Sequence, residues 1–287
     1  MRAIQVSQYV NGPEDLQVTT LPTPQPHPTK YLIRIHAAGT NFFDLLQITG
    51  KYQHQPPLPW VSGAEFAGVV VAVPTDPRAG SGSGVVGSLD ATISTQTSHR
   101  YKVGDKVFGA TQGSYATHVL ADESVLLPIP AGWSFEDAAG LYVTMPTSYG
   151  GLITRANIQP GEWCLVHAGA GGVGLSAVMI AKAKGATVIA TAGSERKRRV
   201  CLDYGADYVV DYRDSSWPSK VIGLCEQHRK GNGRAGVDVV YDPVGEFPFS
   251  AQRLSFIVLM CPVRHDRPFD KMYRLERSID RGRVCRR

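Results

Sequence analysis

The segment that most restricts the fold is His167-Ala-Gly169-Ala-Gly171-Gly172-Val173-Gly174. Its glycines follow the spacing G-x-G-x-x-G at Gly169, Gly171 and Gly174. An apolar run leads into it, and a pattern of helical period follows from Val173 to Lys184. A glycine loop alone is a weak signal. Between a strand and a helix it predicts one arm of a βαβ unit, and therefore a parallel sheet.

The sequence downstream fits that expectation. Short Val/Ile-rich runs at 187–191, 208–211 and 237–241 alternate with helical patterns at 195–204 and 217–229. Continuous apolar strands between helices indicate a sheet buried on both faces. Upstream, the first 130 residues read as all-β, with short β-rich runs broken by turn signals such as Asn11-Gly12-Pro13 and Lys102-Val-Gly104-Asp105. Many short strands with Gly/Pro turns favour a small barrel. The domains are therefore placed at 1–130, a barrel with a loop insertion at 74–101, and at 131–263, the parallel-sheet domain. Ser134, followed by Asp137, marks a capped helix near the start of the second domain.

Charge sets 264–287 apart. The 287 residues contain 30 Lys or Arg and 25 Asp or Glu, a net +5. Residues 264–287 hold nine Arg or Lys against four Asp or Glu, so this tail accounts for the whole excess. The body is neutral, so the net charge says nothing of a basic face for nucleic acid there, and the tail reads first as a solvated segment. No apolar run reaches the ~20 residues of a membrane helix. The start, Met1-Arg-Ala-Ile-Gln-Val, reads as a strand and not as a signal peptide. Five scattered cysteines suggest reduced thiols and a cytoplasmic setting.

The glycine loop is the candidate dinucleotide site. Gly169 suits the tight turn, Gly171 the approach of a pyrophosphate, and Gly174 the close packing of helix on strand. Gly169, Ala170, Gly171, Gly172, Val173 and Gly174 would line the phosphates at the helix N-terminus. The next strand chooses between cofactors. It ends Ala190-Thr-Ala192-Gly193-Ser194 with no acid at its tip, and Glu195-Arg196-Lys197-Arg198-Arg199 follows. Ser194 with Lys197 or Arg196 would meet a 2′-phosphate, which favours NADPH. Glu195 is the competing residue that would suit NADH. His167, beside the loop, reads as structural.

With these motifs in place the chain resembles the medium-chain dehydrogenase/reductase superfamily, in its zinc-free NADPH:quinone oxidoreductase branch. The resemblance covers roughly residues 1–245. It rests on Ala37-Ala-Gly-Thr-Asn41-Phe-Phe-Asp44, Gly50-Lys-Tyr52, Pro57 to Gly68 with Gly63-Ala64-Glu65, Val103-Gly-Asp105-Lys-Val107, Val143-Thr144, the glycine loop and Gly205-Ala-Asp207. It implies a GroES-like barrel followed by a doubly wound Rossmann domain. Zinc-dependent relatives have His where this chain has Ala64, and an early catalytic Cys where the first Cys is Cys164. No metal site is expected.

The resemblance further implies hydride transfer from NADPH to a quinone or related α,β-unsaturated carbonyl. Asn41 and Tyr52 are the implied catalytic residues, either of which could hydrogen-bond an acceptor carbonyl. Asn41, Thr144, Tyr212 and Val244 are implied to border the cofactor, and Asp44 to hold its own loop. Homodimers are common in similar proteins. Two alternatives stay open: an NADPH-binding sensor with weak catalysis, and an enoyl reductase of a biosynthetic pathway. After Gly245 the pattern departs from the family, and the Rossmann half is expected to be truncated or altered there. The run Leu254–Cys261 is available as a fifth strand.

Overall fold

A computed structural model describes residues 1–76, 99–228 and 236–244, together with the backbone of a strand at Ile257–Met260. The chain divides into two compact units, Met1–Val143 and Thr144–Arg287.

The first unit is built on two antiparallel sheets. Its strands are β1 (Arg2–Val6), β2 (Val18–Thr20), β3 (Tyr31–Gly39), β4 (Trp60–Val61), β5 (Glu65–Ala72), β6 (Lys106–Ala110), β7 (His118–Ala121) and β8 (Leu126–Pro128). One sheet has the order β2-β1-β4 and the other β7-β3-β5-β6-β8. Tyr31, Ile33, Phe66, Val70, Val107, Val119 and Leu126 form the core of the larger sheet. Their alternation along each strand is the period of two that a half-buried sheet imposes.

One helix interrupts the all-β expectation for the first 130 residues, and the expected capped helix follows them. Helix α1 (Phe42–Ile48) starts at Asn41, whose backbone N–H donates to Asp44 Oδ2 at 2.8 Å. Helix α2 (Phe135–Ala139) starts at Ser134 with the expected reciprocal cap. Asp137 N donates to Ser134 Oγ at 3.0 Å, and Ser134 N donates to Asp137 Oδ2 at 3.1 Å. Ala138 and Ala139 then pack with Ala67 and Phe108 of β5 and β6. This packing keeps α2 with the first compact unit, which runs to Val143.

The second unit opens with α3 (Thr144–Tyr149), which runs into a π-helical turn at Gly150–Arg155. Next come β9 (Trp163–Val166), α4 (Gly172–Ala183), β10 (Thr187–Thr191), α5 (Glu195–Asp203), β11 (Tyr208–Val210), α6 (Trp217–His228), β12 (Val239–Asp242) and β13 (Ile257–Met260). The five strands make one parallel sheet in the order β11-β10-β9-β12-β13. β13 fills the fifth-strand place left open by the sequence. The reading of residues 264–287 as a tail, and of most of 74–101 as an insertion, lies outside the described residues.

The sheet is covered on both faces. Cys164 and Val166 of β9 join Ala177, Val178 and Ala181 of α4 and Cys201 of α5 in one cluster. Trp163 and Leu165, which point the other way, join Trp217, Val221 and Cys225 of α6. All four β9 residues are buried, as a doubly wound central strand requires. Burying a side chain such as Leu165 contributes about 1.5–3 kcal/mol. Strand order reverses between β9 and β12. Ligands of such sheets bind beyond the strand ends at that switch point.

Candidate functional site

The glycine loop leaves β9 at this switch point. Ala168 adopts a left-handed φ of 49°, a conformation that costs an L-residue about 1 kcal/mol. The three motif glycines have different reasons to be there. A Cβ on Gly174 would overlap the Ala168 carbonyl and lie 2.8 Å from Gly169 Cα. A Cβ on Gly169 would lie 2.8 Å from Ala190 Cβ and 3.1 Å from Cys201 Sγ. Gly171 is exposed, has φ −81°, and its Cβ would meet only the Ala168 carbonyl at 3.4 Å. The fold therefore requires glycine at 169 and 174 but does not require it at 171.

Gly171 is the N-cap of α4 and has no side chain to cap it. The N–H groups of Gly172, Val173 and Gly174 in the first turn are thus offered to a ligand, together with the positive end of the helix dipole. Thr144 is buried beside them, with its methyl 3.0 Å from where a Cβ on Gly172 would sit. Ser148, one helical turn after Thr144, donates to the Val173 carbonyl at 2.8 Å and lies 3.3 Å from the Tyr241 hydroxyl. Ala170 is half-buried in the loop. This cradle fits a pyrophosphate.

The end of β10 sorts the basic run. Arg198 pairs with Asp211 at 2.8 Å and also donates to the Ala192 carbonyl, so it is structural. Arg199 pairs with Asp203 at 3.2 Å. Arg196, Lys197 and Glu195 are exposed and form no ion pair among the described residues. Ser194 caps α5 by accepting from Lys197 N at 3.3 Å, which leaves its hydroxyl hydrogen available. The Tyr212 hydroxyl lies 2.7 Å from the point a Cβ on Gly193 would occupy. The structure thus gathers Ser194, Lys197 and Tyr212 at one strand end. Val244 N donates to Asp242 Oδ1 at 2.9 Å beyond β12.

His167 directly follows β9 and is 1% exposed. Its Nδ1 is 3.1 Å from Thr191 Oγ1, and its ring meets Trp217 edge-on. Burial lowers its pKa to about 4, against the opposing pull of Asp242. The imidazole is neutral at pH 7, as a structural group should be.

The remaining candidates lie in the first unit. Tyr52 is half-buried, its ring 5.4 Å from that of Phe43. Asn41 Nδ2 donates to Glu65 Oε1 at 2.8 Å. Asp44 Oδ2 accepts from the Tyr115 hydroxyl at 2.6 Å as well as from Asn41 N, which matches its expected loop-holding role. Sequence reasoning assigns no role to Glu65 or Tyr115. Apart from its place in the Gly63-Ala64-Glu65 motif, the signal for Glu65 is an acid opening an otherwise apolar strand, Glu65-Phe-Ala-Gly-Val-Val-Val-Ala. Among the described residues, no group of three or more His, Cys, Asp or Glu could hold a metal ion.

Comparison with known proteins decides the ancestry. Residues 27–131 match the alcohol dehydrogenase GroES-like domain, and residues 172–257 match the zinc-binding dehydrogenase family. An Escherichia coli quinone oxidoreductase, solved in complex with NADPH, is 30% identical with a TM-score of 0.69. The match covers 87% of this chain and 68% of that one. The chain belongs to the quinone oxidoreductase-like branch of the medium-chain dehydrogenase/reductase superfamily. A Pseudomonas syringae quinone oxidoreductase agrees, at 33% identity and a TM-score of 0.67 over 85% of this chain and 67% of that one. A quinone oxidoreductase from Pongo abelii is 32% identical over 84% of this chain. The chain spans 66% of that relative's length. The family has the expected GroES-like domain and Rossmann domain.

Proposed function

We propose that this chain is an NADPH-dependent, zinc-independent oxidoreductase that delivers hydride to a quinone or related α,β-unsaturated carbonyl. The observation that carries the reading is the pairing of two features in the second unit. One is a glycine loop whose Gly171 is free of any packing demand. The other is a β10 end with no acid and with two cations, Arg196 and Lys197, that are unpaired among the described residues. The first suits a pyrophosphate and the second a 2′-phosphate. The family membership and the NADPH complex of the Escherichia coli relative support the same cofactor.

In this reading the first-turn N–H groups of α4 hold the pyrophosphate, and Thr144 packs against the loop that presents them. Ser194, Lys197 and Tyr212 hold the adenosine end, and Val244 borders the cofactor. When bound, NADPH supplies the hydride, and water supplies the proton that completes the hydroquinone. The chain's own task is orientation and the exclusion of side reactions. Asn41 and Tyr52 are the donors proposed to meet the acceptor oxygen as negative charge develops there. Ala64, where zinc-dependent relatives have His, supports chemistry without a metal.

A fluorescence titration of purified protein with NADPH and with NADH, followed by a soluble quinone, tests the reading. It expects tighter NADPH binding and chelator-insensitive NADPH oxidation. Chelator-sensitive alcohol oxidation, or a preference for NADH, refutes it.

A further inference from the structure

Among the described residues of the first unit, two carboxylates are buried, Asp44 and Glu65. Asp44 is accounted for by the start of α1 and by Tyr115. Glu65 serves neither a helix start nor an ion pair among the described residues, although it is 1% exposed. Its two oxygens are divided between distant parts of the unit. Oε1 accepts from Asn41 Nδ2 at 2.8 Å, and Oε2 accepts from Val143 N at 2.9 Å. Burial, aided by the neighbouring Asp44 carboxylate, raises its pKa, and hydrogen bonds from Asn41 and from the backbone of Val143 and Tyr142 oppose that rise.

The geometry fixes polarity as well as position. The Val143 N–H can only donate, so Oε2 must accept. An ionised carboxylate also accepts at Oε1, so the amide of Asn41 must turn its NH2 end toward Glu65. The rest of the amide is then set: Oδ1 faces away, and one N–H remains to be offered elsewhere. A glutamine at 65 would reverse the requirement, because it would present an NH2 to Asn41 where the carboxylate presents an acceptor.

We propose that Glu65 is a positioning residue whose carboxylate holds the Asn41 amide in one orientation, so that its second N–H is presented to the acceptor oxygen. The inference rests on the reading of Asn41 as a donor to the acceptor. It adds the residue that makes Asn41 a donor and not an acceptor at that place.

The isosteric variant Glu65→Gln separates the possibilities. The glutamine introduced there must still accept from Val143 N, so its own NH2 faces Asn41 and the Asn41 amide inverts. The Asn41 side-chain amide resonances in a ¹H–¹⁵N spectrum should shift in E65Q. The kcat with a soluble 1,4-benzoquinone should fall about 10- to 100-fold with little change in KM for NADPH. The exchange variant N41D/E65Q restores the hydrogen-bond complement and should restore thermal stability without restoring kcat.

Unshifted Asn41 resonances in E65Q, or a wild-type kcat in that variant, overturn the positioning role. Recovery of kcat in N41D/E65Q also overturns it, because residue 41 then has no N–H to offer. A wild-type kcat in Asn41→Ala ends the reading of Asn41 and the inference with it. If the wild-type protein shows no turnover, the function fails separately and the resonances alone decide the orientation.

Discussion

Replacing Gly171 and Gly174 by alanine separates a glycine that serves a ligand from one that serves the fold. At 174 the new methyl would overlap the Ala168 carbonyl and crowd Gly169 Cα at 2.8 Å. Both are backbone atoms that cannot swing aside. Overpacking of this kind costs about 1–3 kcal/mol, and the doubled backbone contact argues for the upper end. At 171 the methyl meets only the Ala168 carbonyl at 3.4 Å, and a φ of −81° suits alanine. The cost there is the weaker N-cap, about 0.5–1 kcal/mol.

Ligand binding should show the opposite weighting for Gly171→Ala. The methyl would stand on the exposed side, where the pyrophosphate must approach the first-turn N–H groups. Loss of one hydrogen bond to a charged oxygen, about 1.5–3 kcal/mol, with a second weakened, amounts to about 2–4 kcal/mol. The dissociation constant for NADPH should then rise about 30- to 1,000-fold. Urea unfolding reports the stability arm, and quenching of intrinsic fluorescence on NADPH addition reports the binding arm. The reasoning is refuted if Gly171→Ala binds NADPH within about threefold of wild type, or if it unfolds as readily as Gly174→Ala.

Three further outcomes follow from the geometry. Joint replacement of Arg196 and Lys197 by alanine should weaken NADPH binding about tenfold and leave NADH binding unchanged, which parallel titrations at low and moderate salt would check. His167 resists protonation in the folded state, so acid favours the unfolded chain: stability should fall as pH drops from 6.5 toward about 4, and the gap converts to about 3 kcal/mol. Urea midpoints across that window should lose part of their slope in His167→Gln, and an unchanged slope counts against the assignment. Ser134→Ala should cost about 1 kcal/mol by removing the α2 cap, read as a lower unfolding midpoint with α2 otherwise intact.

How much of the site was legible follows from the range of the interactions. The glycine loop, the alternation of Val/Ile strands with helices, and the Ser134–Asp137 cap are local. Chain stereochemistry, strand and helix periods, and bonds three residues apart create them, and a sequence displays all of these directly. The resemblance to the family added Asn41, Tyr52 and Tyr212, positions that no local rule would single out. A boundary at 130 leaves α2 with the second domain, because α2 is locally a plain helix. Its alanines belong to the first unit only because Ala67 and Phe108 lie opposite them.

The same limit governs the charges. Read in a line, Glu195 to Arg199 is one basic cluster. In the folded chain Arg198 is committed to Asp211, thirteen residues on, and Arg199 to Asp203, leaving Arg196 and Lys197 without an ion pair among the described residues. Glu65 is the extreme case, since its partners lie 24 and 78 residues away. The linear chain announces a dinucleotide fold, because a glycine loop between strand and helix is built from neighbours. Which buried acid turns which amide, and which cation remains unpaired, depends on what long-range closure places opposite it once water is gone, and only the folded chain contains that information.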